Sequence, residues 1–149
     1  MIVTTKFDFR KRPSSRQKNE IIDFLFEHLD QFGDPKPDIE KAVNYALNEG
    51  ESFGGFVLTA QFNNQIVGSV VVNQTGMNGY IPDNILVYIA THKEFRGQGI
   101  GKQLMLLAME TAKGDVALHV EPENPARYLY EKLGFTNKYL EMRYKKTSS

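Results

Sequence analysis

The sequence predicts a mixed α/β domain whose largely antiparallel sheet carries helices on both faces. Three observations point to it. A strand-like run, Ile85 to Thr91, passes through glycines into a periodic helix that begins near Gly99. Two apolar segments, Phe56 to Phe62 and Gln65 to Val72, flank Asn63-Asn64, a dipeptide suited to a tight hairpin. Upstream lie two amphipathic helical patterns, separated by the breakers of Gly33 to Pro37.

In chain order, Ile2 to Phe7 reads as the first strand. Ser14 with Gln17 three residues later forms a capping box, opening a helix that should run to about Phe32. Ile21, Leu25, Leu29 and Phe32 fall on one face of it, with Ile22 and Phe26 alongside. Ile39, Ala42, Val43, Ala46 and Leu47 mark a second helix, stopped at Gly50. The hairpin follows, then a loop from Gly76 to Asp83 and the fourth strand, Ile85 to Thr91. The next helix carries Ile100, Leu104, Leu107, Ala108 and Thr111 on one face, widened by Met105, Met109 and Ala112, and ends at Lys113-Gly114. Val116 to Val120 is the fifth strand, and Asn137 to Lys145 is expected to close the sheet. No repeat, linker or low-complexity stretch divides the chain, so residues 1–149 are expected to form one domain.

Composition narrows the function. Basic and acidic residues number 18 each and are interspersed, which gives no field for nucleic acid or a membrane surface. Cysteine is absent, excluding disulfides, thiolate metal sites and a covalent cysteine intermediate. The three histidines are scattered without metal spacing, so no metal is expected. No apolar run approaches the ~18 residues of a membrane span, and the N-terminus lacks a signal-like region, which makes the cytoplasm the expected compartment.

Arg96-Gly97-Gln98-Gly99-Ile100-Gly101 lies where strand becomes helix. Glycines there let a backbone approach a ligand closely, and the helix start offers unpaired N–H groups and a positive dipole end. Such a turn suits a phosphate or pyrophosphate, with Arg96 a further cationic donor. A Walker A loop fails, because Gln103 follows Lys102 where Ser or Thr is needed. The dinucleotide fingerprint fails in both registers, at Lys102 and at Leu104.

What remains, Arg-x-x-Gly-x-Gly, resembles the (Gln/Arg)-x-x-Gly-x-(Gly/Ala) motif of the GNAT superfamily of N-acetyltransferases. A second block, Asn124-Pro125-Ala126-Arg127-Tyr128-Leu129-Tyr130-Glu131-Lys132-Leu133-Gly134-Phe135, resembles that family's later Asn-Pro-Ala-x-x-Leu-Tyr-x-x-x-Gly-Phe motif. The two blocks stand in the family's order and span Ile85 to Phe135. The resemblance implies a GNAT-like sheet with splayed fourth and fifth strands and acetyl-CoA as co-substrate. It implies that the backbone of Ile89, Ala90 and Thr91 bonds the pantetheine arm and the thioester. Arg96, Gly97, Gln98, Gly99, Ile100, Gly101 and Lys102 would hold the pyrophosphate, and Asn124, Ala126 and Tyr130 would complete the cofactor site. Thr91 and Lys93 depart from the commoner Val-x-Pro before the turn, which alters the approach to the loop.

By the same resemblance Tyr130 is the catalytic acid. A phenol with a pKa near 10 is well matched to a departing thiolate. The base is open among Asp83, Tyr88 and Glu121 near the strand ends, while His92 and His119 read as surface or satisfied residues. The implied activity is acetyl transfer to a primary amine by direct attack in a ternary complex. The alternative is a catalytically silent member of the fold that binds acyl-CoA as a sensor or scaffold. The loop Gln31 to Pro37, with Asp30 and Asp34, would border the acceptor; its acids either favour a cationic amine or are merely solvated. Small amine, antibiotic, peptide N-terminus and protein lysine stay open as acceptors, as does a homodimer.

Overall fold

Asn63 and Asn64 both take left-handed backbone angles, φ 50° and 63°, and so turn the chain in the sense that matches strand twist. That two-residue turn joins β2 (Gly55–Phe62) to β3 (Gln65–Gln74) and seeds the sheet. β1 (Val3–Phe7) pairs with β2, and β4 (Asn84–Thr91) with β3, all antiparallel. β5 (Val116–Leu118) adds in parallel to β4, giving the order β1-β2-β3-β4-β5. The computed structural model describes residues 1–147. The chain divides into two compact units, Met1–Leu118 and His119–Ser149, and the whole sheet lies in the first.

Helix α1 (Ser15–His28) starts as the capping box requires. Ser14 Oγ accepts the Gln17 amide at 3.1 Å, and Gln17 Oε1 accepts the Ser14 amide at 2.8 Å. It stops one turn earlier than predicted. Asp30 turns left-handed at φ 54°, and residues Asp30–Phe32 form a separate 3-10 turn. At that turn Lys93 and Arg96 meet the Asp30 carboxylate at 2.8 and 3.6 Å, contacts with residues distant in the chain. The buried face is Ile21, Ile22, Phe24, Leu25 and His28, while Phe26 stays exposed. Helix α2 (Lys36–Ala46) buries Ile39, Val43 and Ala46, and with α1 covers one sheet face around Val57, Val71 and Ala90.

Helix α3 (Ile100–Thr111) lies on the opposite face and buries Ile100, Leu104, Met105 and Ala108. It packs close because Gly68 of β3 has no side chain; a Cβ there would come within 2.6 Å of Leu104 Cδ1 and 3.0 Å of Ile100 Cγ2. In the second unit, helix α4 (Ala126–Lys132) follows Asn124, whose Oδ1 accepts the Ala126 amide at 2.9 Å.

Two predicted strands are corrected. The fifth ends at Leu118, short of Val120, where its pairing with Leu86 ends. Asn137 to Lys145 forms no strand. Its apolar side chains Tyr139, Leu140, Met142 and Tyr144 are all exposed, so no sheet face takes them up.

One side chain fixes where β4 and β5 begin. Buried Asn84 donates through Nδ2 to the carbonyls of Lys113 and Asp115 at 2.9 and 3.2 Å, and its amide also donates to Asp115 at 3.0 Å. Asn84→Ala leaves the Lys113 carbonyl without this donor, a loss of about 1–3 kcal/mol. The expected result is a lower urea midpoint together with faster amide exchange at Val116–Leu118. An unchanged midpoint would show that the short ladder holds itself.

Candidate active site

The site grows from a discontinuity in β4. Val71 pairs with Tyr88 and Val72 with Leu86, so Val87 has no opposite residue and forms a bulge. The last β5 partner, Leu118, stands opposite Leu86. Beyond it, β4 continues to Thr91 with one edge unpaired within the sheet. His92 donates its amide to the Val67 carbonyl at 2.8 Å, so by alternation the amides of Ala90 and Tyr88 also face β3. Those of Ile89 and Thr91 therefore face the open edge. Among Ile89, Ala90 and Thr91, the outer two turn their amides to the open edge and the middle one is spent on the sheet.

The glycine turn follows. Gly97 and Gly99 have φ 81° and 82°, and a Cβ on either would meet no atom within 4 Å. Conformation, not crowding within the protein, requires glycine there. Gly99 caps α3 without a side-chain hydrogen bond, and the first turn contains no acidic residue. By contrast α1 is capped by Ser14. The positive end of α3 is thus left uncompensated beside the exposed residues Gly97, Gln98, Gly99 and Lys102. Ile100 is buried beneath them, and Gly101 lies in the first turn.

Arg96 reaches away from that turn. Its Nη2 donates to the His28 carbonyl at 3.0 Å and its Nε to the Thr91 carbonyl at 3.4 Å, and Asp30 stands 3.6 Å away. The sequence placed Arg96 at the turn but carried no sign of this link to the end of α1. The link is doubled by Lys93, whose amide donates to His28 Nδ1 at 3.2 Å. The His28 ring is buried and stacks 4.2 Å from that of His92 and 4.6 Å from that of Phe24. Burial, with the charges of His92, Lys93 and Arg96, pushes the His28 pKa below its ordinary 6.5, against the opposing pull of Glu27.

The candidate bases separate by structure. Asp83 Oδ1 accepts the Asp115 amide at 3.1 Å and so serves the strand junction. Tyr88 donates its hydroxyl to Asp34 Oδ2 at 2.5 Å. Glu121 is exposed in the second unit, its carbonyl accepting the Asn124 amide at 2.9 Å. His92 caps the 3-10 turn Lys93–Phe95, accepting the Glu94 amide at 3.1 Å, and His119 is exposed. In the second unit Tyr130 of α4 is buried, its ring 6.1 Å from that of Phe135. Burial pushes its pKa up to about 12, so it is a neutral hydrogen-bond donor across the physiological range. Asn124 and Ala126 bond to one another at the start of α4. Among the described residues no three His, Cys, Asp or Glu converge to hold a metal, and no helix is long and apolar enough to cross a membrane.

Residues 53–137 match the acetyltransferase (GNAT) domain family, and the chain belongs to that family. An acetyltransferase of Pectobacterium atrosepticum is 32% identical over 124 residues, covering 78% of this chain and 79% of the relative. Among solved structures, an aminoglycoside N-acetyltransferase in complex with CoA superposes with a TM-score of 0.70 at 15% identity, covering 99% of this chain and 96% of that one. A ribosomal-protein-alanine N-acetyltransferase from Brucella melitensis biovar Abortus 2308 gives 0.66 at 17% identity, covering 97% and 99%. At such identities these structures show a shared fold, the mixed α/β sheet with diverging fourth and fifth strands.

The His28 contacts set a pH dependence. Unfolded, His28 takes up a proton near 6.5; folded, it resists, so the unfolded chain binds more protons below that value. The stabilisation is whole above 6.5 and is lost as pH falls toward the lowered folded value. Melting temperature should therefore drop on acidification below 6.5. His28→Asn, which keeps an acceptor for Lys93 but cannot titrate, should melt lower overall with a shallower slope. An equal slope in both proteins would assign the titration elsewhere.

Proposed function

We propose that this chain is an acetyl-CoA-dependent N-acetyltransferase, working as one domain over residues 1–149. It would transfer the acetyl group to a primary amine by direct attack, with donor and acceptor bound together. The observation that carries this reading is the pairing of an open β4 edge with an uncapped α3 N-terminus one short turn later. The edge groups of Ile89 and Thr91 suit the amides and thioester of a pantetheine arm, with Ala90 setting their spacing. The amides of Gly97, Gln98, Gly99, Ile100, Gly101 and Lys102 suit a pyrophosphate. Gly101 supports the same reading, because glycine inside a helix costs about 0.5–1 kcal/mol relative to alanine. Close approach by a ligand gives that cost a purpose.

The family match at 53–137 runs through both motif blocks, which supports one domain and one cofactor site that includes Asn124, Ala126 and Tyr130. In the reaction, the neutral amine forms a C–N bond at the acetyl carbon and the C–S bond breaks. The amine proton leaves to solvent or a base, and the thiolate takes a proton. Tyr130 is assigned that donation by its place in the Asn-Pro-Ala-x-x-Leu-Tyr block. Its raised pKa keeps the proton available, and a strong hydrogen bond to the sulfur serves before full transfer. The acetyltransferases of similar fold, one crystallised with CoA, support the same donor.

Two measurements test the reading. Acetyl-CoA at a hundredfold excess over its Kd should raise stability by about 2.7 kcal/mol, seen as a higher melting temperature, with ATP and NAD ineffective at matched concentration. Equal stabilisation by ATP would overturn the assignment. Tyr130→Phe should retain acetyl-CoA affinity while single-turnover acetyl transfer slows by roughly 10²–10⁴-fold. Wild-type rates in that variant would reduce Tyr130 to a packing residue.

A further inference from the structure

Of the two acidic residues that the sequence set beside the acceptor loop, the structure disposes of one. Asp30 is held by Lys93 and Arg96 and is spent on anchoring the end of α1. Asp34 is different. Its Oδ2 accepts the Tyr88 hydroxyl at 2.5 Å, a contact spanning 54 residues, and no lysine or arginine of the described residues pairs with it. An O–H···O⁻ bond this short orients the carboxylate firmly and leaves Oδ1 available.

The place of this contact gives it meaning. Tyr88 is the first residue past the Val87 bulge and immediately precedes Ile89, where the β4 edge is open. Its side chain packs against the core beneath α1 and α2, on the side of the sheet that carries the Asp34 loop. Burial and the nearby carboxylates of Asp34 and Asp38 push the Tyr88 pKa well above its ordinary 10.0, so it remains a donor. The Asp34 carboxylate is thus fixed one tyrosine length from the proposed acyl-bearing edge, with its charge unmatched by the protein.

We infer that Asp34, oriented by Tyr88, is the specificity-determining residue that binds a second ammonium group on the acceptor, so that the favoured substrates are amines bearing two or more positive charges. The inference rests on the N-acetyltransferase reading above. Asp34 selects the acceptor through its distal charge, and the amine that attacks is the uncharged end. Tyr88 is a positioning residue. A mere latch for the loop would cost stability in either variant but would not distinguish one amine from another.

The test uses two probes that differ only in the distal charge, 1,4-diaminobutane and n-butylamine. Each is titrated calorimetrically into CoA-saturated protein and then assayed as an acceptor. Wild type should bind the diamine about tenfold or more tightly than the monoamine, with the same preference in kcat/KM. Asp34→Asn should bring the two to within about twofold, and Tyr88→Phe should give an intermediate ratio because the carboxylate remains but is no longer oriented. Melting curves confirm that both variants are folded. No preference in wild type, or a preference that survives Asp34→Asn, overturns the inference while leaving the N-acetyltransferase reading intact. Failure of wild type to bind acetyl-CoA overturns that reading, and this inference with it.

Discussion

Everything at the candidate site depends on a strand that loses its neighbour. β4 is paired on both sides only as far as Leu86, where β5 ends opposite it. Past the Val87 bulge, an inner strand has the hydrogen-bonding character of an edge. A free edge in the middle of a protein is normally a liability, since backbone groups removed from water must find partners. Here the liability is local and directed. It lies one turn before a helix whose first amides are also uncapped. Two sets of backbone donors, brought together by five intervening residues, make up the surface proposed to take the cofactor, with almost no help from side chains.

Side chains instead hold these backbones in place. Asn84 pins the start of β4 to the segment leading into β5. Gly68 lets α3 settle low on the sheet, which fixes the height of its N-terminus. His28, Asp30, Lys93 and Arg96 fasten the end of α1 to the stretch between β4 and the glycine turn. The loop that would border the acceptor is therefore mechanically joined to the loop that would hold the donor's phosphates. The coupling runs through groups of which one, His28, is buried with a depressed pKa.

What was legible in the sequence was what sequence neighbours determine. The Ser14–Gln17 box, the Asn63-Asn64 hairpin and the α3 stripe are local patterns, and each lies where the residues indicate. The glycine turn was legible because left-handed angles leave few alternatives to glycine. What could not be read depends on residues distant in the chain. The early end of α1 meets cations more than sixty residues away, and Asp30 and the His28 carbonyl engage Arg96 there. The Val87 bulge leaves no trace in a run of apolar residues, yet it decides which side chains of β4 share a face. The Tyr88–Asp34 contact joins two residues that looked separately like a candidate base and a solvated charge. Asn137 to Lys145 shows the converse, a segment expected to close the sheet whose apolar side chains find no face to bury against.

The three-residue β5 ladder has a mechanical consequence. Val116–Leu118 contributes only a short hinge of parallel pairing, and its firm end is at Asn84. It is therefore the weakest seam of the sheet. β4 keeps its other edge paired to β3 as far as Thr91, whereas β5 is held by three residue pairs and one buried amide side chain, and is the strand that parts first when the sheet opens locally.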